Sequence, residues 1–259
     1  FTLSESEVGR KGRTLVSDKK RFFTMFVILC FVTKIFSEFL HEVCGHGLFV
    51  LLFGGTINSV YINLLWPYGF SYTYWSFTGE ISFLQMALIY VGGILTGLCV
   101  SFIIQTVLLW KKRIGWYWTV SLFWLAFWTF ISSAGYLVIG GITCFGDVKE
   151  LIALGVLSRY SSLFIGLLSF AIGFVMLSWI LRKTFMEVCS FKKATLGVSL
   201  FWLIIPTLVV IIILSPELSL GWDYFLLSFI PTFLSVVLER VLFLSKQKAD
   251  KNPSEISEK

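Results

Sequence analysis

The sequence predicts an all-α, multi-pass membrane protein with about six transmembrane helices and a small interfacial β-hairpin after the first. Three observations carry that fold class. Of 259 residues, 57% are hydrophobic and only 14% are charged, and the mean hydropathy is +0.86. An ordinary globular domain is about 45–50% apolar and about 25% charged. The apolar residues gather in runs long enough to cross a hydrocarbon core about 30 Å thick, which takes roughly 20 residues per helix. The basic residues collect between those runs on alternate sides. The net charge of +6 therefore reads as a topology signal; the lipid bilayer is the expected partner and nucleic acid is not. The same figures exclude disorder and a disulfide-rich secreted scaffold. Cys30, Cys44, Cys99, Cys144 and Cys189 form no C-x-x-C pair, so no disulfide framework is expected.

The first apolar run, Phe22–Phe53, is interrupted by polar residues. No small-residue cleavage site follows it, so it reads as a span rather than a signal peptide. The other spans are Phe83–Trp110, Trp116–Ile142, Ser162–Leu181, Thr195–Leu214 and Phe225–Leu244. Eighteen of the 21 Lys and Arg residues fall before the first span, in the second-to-third and fourth-to-fifth loops, and at the C-terminal end from Arg240 on. By the positive-inside rule both termini are cytoplasmic. The chain thus divides into a cytoplasmic N-terminal segment, 1–21, a membrane domain, 22–244, and a disordered cytoplasmic tail, 245–259. The first outer loop, 54–82, holds no Lys or Arg. Its part Thr56–Leu65 is rich in β-branched residues, and Trp66, Tyr68, Phe70, Tyr72 and Tyr74 place an aromatic at every second position. Period two marks a strand with one aromatic face, and Trp and Tyr favour the membrane boundary. The second outer loop, Thr143–Ser161, has the character of a short helix dipping toward the membrane.

Both histidines of the chain lie in the first span, within Glu38-Phe-Leu-His41-Glu42-Val-Cys44-Gly45-His46-Gly47. Ionisable residues at that depth are costly and mark function. Two imidazoles with a carboxylate beside the first suit zinc hydrolysis: the rings hold the metal and the carboxylate takes the proton of the attacking water. The usual pattern is H-E-x-x-H, with the rings one helical turn apart. Here the spacing is i, i+5, which on an ideal α-helix turns the two rings about 140° apart. A π-bulge or a break at Gly45 realigns them. Other assignments remain open. Lys34 and Glu38, at i, i+4, neutralise each other. Glu38, Glu42 and His46 form a stripe able to bind a metal without any bulge, and Glu38-x-x-His41 has the form of half a di-iron carboxylate site. Cys44 and Cys144 are soft ligands or ordinary core. Gly93-x-x-x-Gly97 is a helix-packing motif.

The stretch resembles the site-2 protease family of intramembrane zinc metalloproteases, particularly its compact bacterial and archaeal members. His41-Glu42 and His46-Gly47 are followed by Gly54-Gly55, Thr56–Leu65 and Trp66-Pro67 in that family's order, and Gly92-Gly93-x-x-x-Gly97 is similar to its Gly-rich helix. The resemblance covers roughly Phe22 to Gly97. It implies one Zn2+ per chain held by His41, His46 and an aspartate from a later span, with Glu42 as general base. The family's N-P-x-x-D-G motif is absent, and Asp147, in Cys144-Phe-Gly146-Asp147, is the candidate for that third ligand. It follows the third span, which runs outward, and so lies near the outer side, as do His41 and His46 in the outer half of the outward-running first span; the competing assignment is a solvated loop acid or a helix N-cap for Val148–Leu157. The expected function is zinc-dependent intramembrane endopeptidase activity on a transmembrane protein substrate, in the cell membrane of a microbe. The alternatives are a catalytically inactive, protease-like subunit with partners in a larger membrane complex, and a metal or proton transporter.

Overall fold

The computed structural model describes residues 5–63, 71–111, 114–213 and 237. Among these, the elements run α1 (Glu5–Phe39), a π-helical turn (Leu40–Gly47), α2 (Leu48–Leu52), β1 (Thr56–Tyr61), β2 (Tyr72–Ser76), α3 (Phe83–Trp110), α4 (Trp116–Phe130), a second π turn (Ile131–Gly135), α5 (Tyr136–Thr143), α6 (Gly146–Ala153), α7 (Arg159–Met186) and α8 (Phe191–Ile213). Among the described residues, four stretches are long and apolar enough to cross a membrane: Lys19–Leu52, Phe83–Trp110, Trp116–Thr143 and Arg159–Met186. They match the first four expected spans. Most of the fifth, Thr195–Leu214, is helical as α8. The sixth, Phe225–Leu244, and the tail 245–259 lie outside the described residues.

The helix α1 starts at Glu5 and runs without interruption into the first expected span. The chain divides into two compact units, one ending at Ile180 and the other starting at Leu181. In the second, Phe185, Val198, Phe201 and Trp202 are buried, and the ring of Phe185 lies against Gly197.

In the first unit α1 and α4 meet through rings, with Phe26 and Trp124 centred 4.9 Å apart. The Trp128 indole N–H donates to the Cys30 carbonyl at 2.8 Å. α3 starts from a reciprocal capping box between Ser82 and Gln85, which satisfies two backbone donors at its end. It joins α4 through Ser101, whose hydroxyl donates to the Ala126 carbonyl at 2.7 Å. The outward faces are apolar: Phe31 is 69% exposed and Phe164 68%.

The hairpin is antiparallel, with Val60 opposite Thr73 and Tyr61 opposite Tyr72, and a bulge between Ile57 and Ser59. Tyr72 and Tyr74 share its exposed face, as the aromatic period requires; Trp66, Tyr68 and Phe70 lie outside the described residues. The second outer loop does hold a short helix, α6. Val148 and Leu151 are fully buried against Ile94 and Leu137. That burial fixes the first turn of α6, and therefore Asp147.

Candidate metal centre

The i, i+5 problem is resolved by the backbone. Leu40–Gly47 is π-helical, and the N–H of Leu48 bonds to the carbonyl of Val43, five residues back. A π turn takes one more residue per turn than an α turn, so residues five apart come to stand where residues four apart normally would. The rings of His41 and His46 meet edge to face with centroids 4.9 Å apart, and their Nε2 atoms are 3.3 Å apart. The sequence dictates this locally through Gly45. A Cβ there would lie 2.5 Å from the Cα of Gly93, and one on Gly93 would lie 2.6 Å from His46 Nε2 and 2.7 Å from His41 Nε2. Helix α3 thus lies directly against the swollen turn because both positions lack side chains. The Gly-rich run of α3 is a packing surface, as expected, and also one wall of the histidine site.

Asp147 completes the group. Its Oδ2 lies 3.3 Å from His41 Nε2 and 3.3 Å from His46 Nε2. It is not an N-cap: Phe145 takes that position, without a side-chain cap, and Asp147 is in the first turn. The Asp147 backbone hydrogen-bonds the Tyr136 hydroxyl, and the Tyr136 ring lies edge to face with His41 at 5.9 Å.

Three donor atoms at equal separations can be tested against a cation. A tetrahedron with 3.3 Å edges has its centre about 2.0 Å from each vertex, which is the usual zinc–imidazole and zinc–carboxylate distance. The donor chemistry agrees. The Nδ1–H of His46 donates to the Ile89 carbonyl at 2.7 Å; this sets the tautomer and leaves the Nε2 lone pair facing the other two atoms. Lone pairs and a carboxylate converging in a buried site repel one another unless a proton or a cation lies between them. Two imidazoles and one carboxylate form a ligand set with the three protein ligands typical of catalytic zinc.

Glu42 stands beside this group: one ligand atom each from His41, Glu42 and His46 falls within 4.8 Å of the others, and all three residues are buried. Its Oε2 accepts a hydrogen bond from the Thr73 hydroxyl at 3.0 Å. Glu38 stays outside the cluster, ion-paired with Lys34, whose ammonium sits 5.6 Å from the Trp128 ring centre. Cys144 is the left-handed residue ending α5 (φ 52°), and neither it nor Cys44 joins the cluster. Sequence reasoning did not single out Thr73, Ile89 or Tyr136 for the site. Each reaches it from another element, so no local spacing signals them. Comparison of the chain with family models, with curated proteins and with solved structures finds no match.

Proposed function

We propose that the chain is a zinc-dependent endopeptidase of the membrane interior, acting on a transmembrane protein substrate. The observation that carries this reading is the equal 3.3 Å spacing of His41, His46 and Asp147 with Glu42 alongside. Its membrane setting is supported by four apolar helices and by large side chains exposed on their outward faces. With the sixth expected span, the alternation of basic loops would put both termini in the cytoplasm.

His41, His46 and Asp147 would hold one Zn2+ per chain. When bound, the metal supplies a Lewis acid to the scissile carbonyl. Glu42 takes the proton of the attacking water and returns it to the leaving amine, so that one carboxylate serves both half-steps. The three ligands arrive on packed elements, and their geometry is therefore set before substrate enters. A helical substrate hides its carbonyls, and the hairpin offers strand edges to which an unwound segment can add.

Glu42→Gln tests the assignment. Zinc content should remain at one per chain, while cleavage of a co-reconstituted single-span membrane protein falls by a factor of about 10²–10⁴. Cleavage at the wild-type rate in that variant would sink the reading. A wild-type protein that holds zinc yet cleaves none of a panel of single-span proteins would favour an inactive subunit instead.

A further inference from the structure

Strand β2 runs alongside the first span with its alternate residues turned toward it. Ser71, just before the strand, hydrogen-bonds the Glu38 carboxylate, and its hydroxyl also accepts the Asn63 backbone N–H at 3.2 Å. Two residues on, the one proton of the Thr73 hydroxyl is shared between two acceptors of Glu42, Oε2 at 3.0 Å and the backbone carbonyl at 3.1 Å. Two residues along the strand thus meet two carboxylates four residues apart on the facing helix, hydroxyl to carboxylate in register. Tyr72 and Tyr74 point the other way, 54% and 64% exposed, so the aromatic face is free of this contact.

A carboxylate one residue from a metal ligand has rotamers to choose from. Packing alone does not select the one that faces the reacting water. A hydrogen bond from a fixed strand does, because it holds one oxygen and thereby aims the other. We propose that Thr73 is a positioning residue for Glu42: its hydroxyl holds Oε2 and leaves Oε1 to exchange the proton. The inference rests on the endopeptidase reading and adds that the hairpin sets the aim of the base. Ser71 anchors the same strand one helical turn earlier.

The test compares Thr73→Val, which keeps the shape and removes the hydroxyl, with Thr73→Ser, which keeps the hydroxyl. In the full-length protein reconstituted with a single-span reporter substrate, Thr73→Val should lower kcat 10- to 100-fold with KM within about twofold. Thr73→Ser should recover kcat to within about threefold of wild type. Co2+ loaded in place of zinc should give the same visible absorption spectrum in both variants as in wild type, since neither touches a metal ligand. Unchanged kcat in Thr73→Val, or a loss that Thr73→Ser does not recover, overturns the inference while leaving the endopeptidase reading intact. That reading fails separately if Glu42→Gln cleaves like wild type. A readout without turnover is the melting temperature of Thr73→Val, Glu42→Ala and the double variant. Non-additive shifts support the contact and strictly additive ones overturn it.

Discussion

His46 is held at both ring nitrogens, whereas His41 is held at one. The Nδ1 of His46 has the Ile89 carbonyl at 2.7 Å, and the Nδ1 of His41 is buried without a hydrogen-bond partner among the described residues. Both Nε2 atoms lean on one carboxylate oxygen of Asp147. Asp147→Asn preserves size and hydrogen-bonding capacity but removes the charge that balances a cation. Zinc affinity, measured by competition with a chelator, should fall more than about 100-fold, exceeding the 10–100-fold loss typical of an outer-shell partner. At this scale the sequence was informative where chemistry is local. A histidine pair with an adjacent glutamate announces itself by type and spacing. Asp147 did so only in part, because an acid after a span end is also what a loop or a cap uses. Thr73 carried no signal at all, since threonine in a β-rich stretch is ordinary.

At the scale of the element, the π turn is what makes the pair a pair. An α-helix through Leu40–Gly47 would leave the rings about 140° apart. The turn is accommodated by contact with α3 at Gly92 and Gly93. Gly93→Ala places a methyl 2.6 Å from His46 Nε2 and 2.7 Å from His41 Nε2, closer than van der Waals contact allows. Zinc affinity should drop at least about 10-fold in this variant, with the far-ultraviolet helix signal unchanged. Gly45→Ala meets backbone rather than a side chain, 2.5 Å from the Gly93 Cα. The two helices must then separate, and the melting temperature should fall, in keeping with an overpacking cost of about 1–3 kcal/mol. Hydropathy could locate the helices, since length and apolarity are all it needs. It could not select a π turn over a break at Gly45, because that choice depends on what packs against the turn. The hairpin was readable from alternation, and its bulge between Ile57 and Ser59 was not, since a bulge leaves no mark on a period of two.

At the scale of the whole molecule, a bound metal would link parts of the chain that the backbone keeps far apart: the first apolar helix and α6, with α3 between them as a wall. Such a ligand stabilises the folded state by about 4 kcal/mol at a thousandfold excess over Kd. Removing it with a membrane-compatible chelator should therefore lower the melting temperature by several degrees in wild type and leave Asp147→Asn nearly unmoved. The four helices long and apolar enough to cross a membrane were evident from composition and hydropathy. The start of α1 at Glu5 was hidden, because a basic stretch ahead of a span has the same composition whether it is helical or not. The distance along the chain between His46 and Asp147 has a further consequence during synthesis. At roughly 10 residues per second, about ten seconds separate the emergence of the imidazoles from that of the aspartate. A nascent chain in the translocon would meanwhile own a base and two rings but no closed cage for the ion. Any cation site that needs Asp147 would thus close only after α6 has been made, and a product truncated before it would lack the third ligand atom.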